Sequence, residues 1–278
     1  MNPEKITWPD EAQWAAMVTF NLDAEHFLHA LHPDAKLAGS LPETVTEGSL
    51  KARMQRVLEI LAQRDVKSTF FVPGIVAESH PELVRMASDE GHEIGVRGYA
   101  AENLALLPVE EQAELIERSV RAVADACGKR PRGFRMPDGE ITKATLRLAR
   151  RAGLTYSSSL SDDDRPYSLD LGDGESIVEI PIHWALSDMP YLAFNFWPPV
   201  PYGQDRIACF RHVLTNWQWE CDAFREEGLC CALQLNPYTI GEPGHAFMLE
   251  KILDHILVRG NAWMPTGSAV EDYFRSLG

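Results

Sequence analysis

The sequence predicts a single α/β domain, a closed or nearly closed barrel of parallel strands wrapped by helices. Three observations carry this. Short apolar runs alternate with stretches of helical period along the whole chain. The 278 residues are 45% apolar, enough to bury one sizeable core. No repeat, linker or shift of composition divides them, so residues 1–278 read as one domain with an N-terminal arm (1–15) and an aromatic, Pro-rich loop (185–205).

Taken in order, AAMVTFNLD (15–23) reads as a strand ending in polar residues. An irregular stretch rich in Pro, Gly and Thr follows, and then a helix over 49–66 with Ser49 as its N-cap. KSTFFVPG is a strand closed by Pro and Gly, and PELVRMASDEG a helix stopped by Gly91. HEIGVRGY is a strand, followed by a long amphipathic helix from Pro108 to Gly128. PRGFRMPDG is a short strand and loop, TKATLRLARRAG a helix and LTYSSSL a strand. SIVEIPIHW and LCCALQLNPY read as strands separated by a helix over 205–228, and a helix over 246–260 precedes the short strand AWMP. Six or seven strand and helix units suit a (β/α) barrel.

Composition excludes several function classes. The 41 acidic against 26 basic side chains give a net charge of −15, which repels phosphate backbones and anionic membranes; nucleic acid and membrane partners are not expected. A basic n-region followed by an apolar stretch is missing from the first residues, and no run reaches ~18 apolar residues. Five cysteines, Cys127, Cys209, Cys221, Cys230 and Cys231, without CxxC spacing read as reduced thiols rather than a disulfide framework or a zinc site. A cytoplasmic protein with a small-molecule substrate is the resulting expectation, with homo-oligomerisation left open. No loop resembles a phosphate cradle, so no nucleotide cofactor is expected.

In a parallel barrel the strands' C-terminal ends share one mouth. That gathers Asn21, Asp23, Glu25, His26, Pro73, Arg97, Tyr99, Glu102, Arg135, Asp138, Asp164, His183, Trp184 and Asn236. Asp23 and Glu25 stand two apart and share a side if the strand persists; each reads as a base or as half of an ion pair with Arg97 or Arg135. His26, His29 and His32 are spaced by three, but Pro33 follows at once, so hydrogen-bonded histidines are preferred to a metal site. His183 is the imidazole best placed for acid or base work, or else it holds its loop. Trp184, Tyr191, Phe194, Phe196 and Trp197 read as a cap over a planar substrate or a lid on the core.

The segments STFFVPGIVAESHPELVRMASDEGHEIGVRGY, GFRMPDG, YSSSLSDDDRPY, EIPIHW and LQLNPYTIGEP resemble, in order and spacing, the polysaccharide deacetylase family of metal-dependent hydrolases, from about Val18 to about Ile256. The resemblance implies a distorted (β/α)7 barrel and hydrolysis of amides or esters. EIPIHW looks more like a branch acting on small cyclic amides, imides and ureides. Carried over by position, Asn21 stands where the base would be and Asp23 where the metal carboxylate would be. Arg97 and Ala101 stand where a His-x3-His pair completes the metal site; Arg135 is the arginine that orients the base; Asn236 replaces a late histidine.

Because a zinc-type site needs about three or four ligands, ordinary metal-dependent deacetylation is not expected, and no metal or other cofactor is assigned. The expected function is metal-independent hydrolysis of a non-peptide C–N bond. Asp23 or Glu25 would activate water, Arg97 and Asn236 bind the carbonyl oxygen, Arg135 orient the acid and His183 assist proton transfer, with Asn21, His26, Tyr99, Glu102, Trp184 and Trp197 contacting substrate. A lyase or isomerase using an acid and an arginine, and an inactive ligand- or partner-binding paralogue, are the alternatives.

Overall fold

The computed structural model describes residues 6–24, 26, 47–137, 139–192 and 208–277. The first strand, β1 (Trp14–Asn21), is buried along its whole length, as expected of a parallel strand covered on both faces. Helix α1 (Glu47–Ala62) leads to β2 (Thr69–Val72), the short helix α2 (Gly74–Ser79), α3 (Pro81–Asp89) and β3 (Glu93–Val96). Next come α4 (Val109–Cys127), β4 (Gly133–Phe134), α5 (Lys143–Arg151), β5 (Tyr156–Ser157), and the hairpin strands β6 (Tyr167–Gly172) and β7 (Glu175–Glu179). The chain continues through α6 (Met189–Leu192), α7 (Phe210–Glu227), β8 (Cys230–Leu235), α8 (Pro237–Ile240), α9 (Pro243–Arg259), β9 (Ala262–Trp263) and α10 (Gly267–Ser276).

The sheet runs β6-β7-β5-β4-β3-β2-β1-β8, with β9 added to β1. All pairs are parallel except the β6–β7 hairpin. It curls toward a barrel, and the gap between β7 and β8 is spanned by one parallel bridge, Ser187 to Gln234. This is the distorted single-domain (β/α) barrel that the sequence predicts.

Side-chain alternation along β1 divides the core in two. Trp14, Ala16, Val18 and Phe20 pack outward against the helices, whereas Ala15 and Met17 join Phe71, Tyr156, Val178, Ile180 and Ala232 in a second cluster. Thr19 and Asn21 share the phase of Ala15 and Met17, so they face the same way above that cluster. Register then sets the level of the neighbouring residues. Asn21 pairs with Phe71, Val72 with Val96, Val96 with Phe134, Phe134 with Ser157, and Phe20 with Leu235. Arg97, Arg135, Ser158 and Asn236 each follow these pairs by one residue.

Several sequence expectations change. Helix α1 begins at Glu47, which places Ser49 within its first turn rather than at its cap. GIVAES forms α2, and YSLDLG pairs antiparallel with ESIVE across a turn at Asp173-Gly174. β7 stops at Glu179, so His183 lies beyond it in irregular chain, and α10 forms where no final helix was expected. The N-terminal arm docks on its own barrel: Trp8 is buried, donates from Nε1 to the Gly228 carbonyl at 2.9 Å, and packs on Trp263 and Tyr273.

Gly95 lets the Phe71 ring lie close to β3; a Cβ there would sit 2.8 Å from that ring and 3.2 Å from the Gly133 carbonyl. Since Phe71 also lies beneath Arg135, Gly95→Ala should cost about 1–3 kcal/mol through overpacking. Urea unfolding should show this as a lower midpoint with an unchanged m-value.

Candidate active site

Arg135 is 1% exposed, although it carries a guanidinium. Its Nε donates to the Ser158 carbonyl at 2.9 Å and Nη2 to Ser158 Oγ at 2.8 Å, while Nη1 reaches Thr19 Oγ1 at 2.7 Å and Asn21 Oδ1 at 3.1 Å. The Phe71 ring lies 4.1 Å below it. Every one of these acceptors is neutral. Burial therefore pushes its pKa down to about 9, with the Arg97 charge as a second cause, and it stays charged at neutral pH. A carboxylate at position 21 would have balanced it, but the chain has Asn21.

The loop after β3 is built from its own backbone. Arg97 N–H donates to the Val72 carbonyl, and the Gly98 and Tyr99 carbonyls accept from Gly74 and Ile75 at the start of α2. Gly98 has φ +59°, and a Cβ there would meet Pro137 at 2.6 Å. Glu102, expected to face substrate, accepts from the backbone N–H groups of Tyr99 at 2.7 Å and Ala100 at 2.6 Å. Tyr99 turns its hydroxyl to Glu78 at 3.0 Å, and Arg118 lies 4.1 Å over its ring. Both side chains are thus engaged in holding the loop.

That loop aims Arg97 at Asp23. Nε donates to Asp23 Oδ1 at 2.7 Å and Nη1 to the Met136 carbonyl at 2.8 Å; the two side chains are 16% and 15% exposed. Asn236 Nδ2 donates to the other oxygen, Asp23 Oδ2, at 3.2 Å, while its Oδ1 accepts from Tyr238 N–H and caps α8. Both oxygens of Asp23 are therefore occupied by donors. The residues present do not fit a divalent ion: among the described residues no group of three His, Cys, Asp or Glu could hold one. Ala101 has no donor atom, and a guanidinium on Asp23 would repel a cation.

Two buried acids went unnoticed in the sequence. Asp188 is fully buried; Oδ2 accepts from the Asn236 backbone N–H at 2.9 Å, and Oδ1 has no partner among the described residues. Burial raises its pKa to about 8 against three backbone hydrogen bonds, and the Asp23 charge adds to the rise. Glu179, also fully buried, accepts from the N–H groups of Ser159 at 2.6 Å and Leu160 at 2.8 Å, fixing the segment that cradles Arg135. Burial lifts it to about 7. Glu179 had a signal, an acid at a strand position inside an apolar run; Asp188, in a loop after EIPIHW, had none.

The other candidates scatter. His183 Nε2 contacts Asp164 Oδ1 at 2.8 Å and its ring meets Phe224 edge-on at 5.1 Å; among the described residues it has no hydrogen bond to Asp23, Arg97, Arg135 or Asn236. Trp184 is 78% exposed. The backbone N–H of His26 donates to the Asp23 carbonyl. Glu25, Asp138, Trp197, Phe194, Phe196, His29 and His32 lie outside the described residues.

Removing Arg97 strands a mostly buried carboxylate, so Arg97→Ala should cost about 3 kcal/mol, read as a lower unfolding midpoint. A second test concerns pH. The native state keeps the Asp188 proton up to about 8 against an ordinary 3.8, so stability should fall as pH rises through that window. Asp188→Asn should flatten the dependence of Tm on pH, leaving the smaller slope from Glu179.

The polysaccharide deacetylase family model matches residues 43–157. A putative polysaccharide deacetylase from Mycobacterium smegmatis, known as a crystal structure, is 31% identical, with 98% of this chain and 94% of that chain covered and a TM-score of 0.88. A peptidoglycan deacetylase-like protein of Gibberella zeae is 30% identical over 228 residues, 71% of this chain and 68% of its own length. The peptidoglycan deacetylase of Helicobacter pylori is 26% identical over 269 residues, 84% of this chain and 88% of its own. The chain therefore belongs to the polysaccharide deacetylase family, hydrolases acting on C–N bonds other than peptide bonds.

Proposed function

We propose that this chain hydrolyses an acyl C–N bond without the divalent metal usual in its family, and that its substrate is an N-acylated saccharide rather than a cyclic imide or ureide. The metal-free reading rests on one observation, Arg97 Nε at 2.7 Å from Asp23 with Asn236 on the other oxygen. The substrate class is supported by relatives that align over most of the chain and carry deacetylase names.

In this scheme Asp23 takes a proton from water as the oxygen adds to the acyl carbon. Arg97 Nη2, which has no hydrogen bond among the described residues, receives the developing oxyanion, a role worth several kcal/mol where water is excluded. Asp188 Oδ1 carries the proton that the departing nitrogen needs, in place of His183, which is tied to Asp164. The products are a carboxylic acid and an amine. Arg135 contributes by fixing Asn21 and Thr19 and by its field.

One observation favours a second reading. With a donor already on each Asp23 oxygen, water must compete with Arg97 and Asn236 for the carboxylate, which suits a protein that binds the saccharide without turning it over. The cytoplasmic setting remains part of the proposal, supported by five free thiols. Among the described residues no helix is long and apolar enough to cross a membrane.

Release of free amine from N-acetylated chito-oligosaccharides and peptidoglycan fragments should persist in excess chelator. Asp23→Asn should lower kcat/KM about 10²–10⁴-fold, the usual range for a lost acid or base. Activity that a chelator abolishes and zinc restores would overturn the metal-free scheme. Binding with no turnover would establish the second reading, and product lacking label from oxygen-18 water would point to lyase chemistry.

A further inference from the structure

The far end of the barrel holds a second arrangement of polar groups. His92 immediately precedes β3 and Arg97 immediately follows it, so they stand five positions apart, about 16 Å along an extended strand. At the His92 end lies a cavity of about 270 Å³, whose lining includes His92, Glu93, Lys129, Arg130, Arg132 and Ser268.

His92 is 6% exposed. Its Nδ1 accepts from the Ser68 backbone N–H at 3.1 Å, so in the neutral ring the proton sits on Nε2. Burial and nearby Lys67 drive its pKa down to about 4, which keeps the ring neutral at physiological pH. Nε2 is buried and has no partner among the described residues. A buried N–H donor without an acceptor costs stability, and its presence beside a cavity asks for an acceptor from outside.

The charges around it point to the sign of that acceptor. Arg132 is committed to Glu271 and Asp272. Glu93 is satisfied by Thr69, Tyr156 and Ser268. Lys129 and Arg130 have no carboxylate partner among the described residues; Arg130 Nη2 donates to the Ala152 carbonyl and its other donors are free of hydrogen bonds there. In a chain of net charge −15, two cations without a carboxylate partner among the described residues line the same cavity as this unmatched donor.

We propose that this cavity binds a small oxyanion, a phosphoryl or carboxylate group, held by Lys129, Arg130 and His92 Nε2–H. The site is independent of the Asp23–Arg97 mouth and of the reaction proposed there.

Isothermal titration of the full chain with inorganic phosphate, and separately with acetate, tests it. Saturable one-to-one binding of either probe is expected, and the tighter one names the group. Lys129→Ala and Arg130→Ala should each weaken it about tenfold, the worth of one charge-assisted hydrogen bond. His92→Asn, which keeps an acceptor near Ser68 N–H and deletes the Nε2 donor, should weaken it as well. Among the described residues Lys129 makes no side-chain hydrogen bond, so its variant isolates the charge. Arg97→Gln should bind as the parent does. The proposal is overturned if neither probe binds saturably, if the three variants bind as the parent does, or if only Arg97→Gln loses binding.

Discussion

A guanidinium resting on a carboxylate organises the mouth of this barrel. Asp23 lies two residues past the first strand and Arg97 directly follows the third, and their contact at 2.7 Å links two segments that are 74 residues apart in the chain. Nearly everything around the pair serves to keep it there. Gly98 and Glu102 hold the loop that delivers Arg97, the Met136 carbonyl takes a second donor of the guanidinium, and Asn236 closes the other side of Asp23. A pair this poorly solvated is stabilising only while it is complete, since either half alone would be a charge in a low-dielectric site.

Behind that pair the protein tolerates a harder electrostatic problem. Arg135 is enclosed by neutral oxygens and one aromatic ring, with Glu179 buried nearby; Glu179 and Asp188, the latter buried beside Asn236, are both pushed toward the neutral form. Acids of opposite habit, Asp23 paired with a cation and Asp188 holding its proton, flank a single residue, Asn236. A carboxylate paired with a cation beside an acid that keeps its proton supplies a base and an acid in one site. This division is why the proposed reaction assigns proton transfer to Asp188.

The fold was legible in the sequence where local signals and tertiary demand agree. β1, the long helix ended by Gly128, and the alternation of strand and helix all follow from periodicity and stop signals. What escaped was short or bound by distant partners: α2 has six residues, and β6 pairs with β7 as an antiparallel hairpin in an otherwise parallel sheet. In the site, the Arg97–Asp23 contact was readable because a charged residue at each strand end needs a partner. Tyr99 and Glu102 were readable as belonging to the loop but not as its internal fastenings, because backbone hydrogen bonds leave no trace in residue type. Asp188 was invisible because its burial depends on the bridge between Ser187 and Gln234, a contact set by the closing of the barrel.

The central claim is that Arg97 supplies, as a fixed charge, what a divalent ion supplies elsewhere in the family. Titration of the purified protein with cobalt(II), followed by its visible absorption, addresses it directly because tetrahedral coordination gives an intense band. The parent chain should show no saturable band, while a variant carrying Arg97→His and Ala101→His should gain one. A stoichiometric band in the parent would contradict the account.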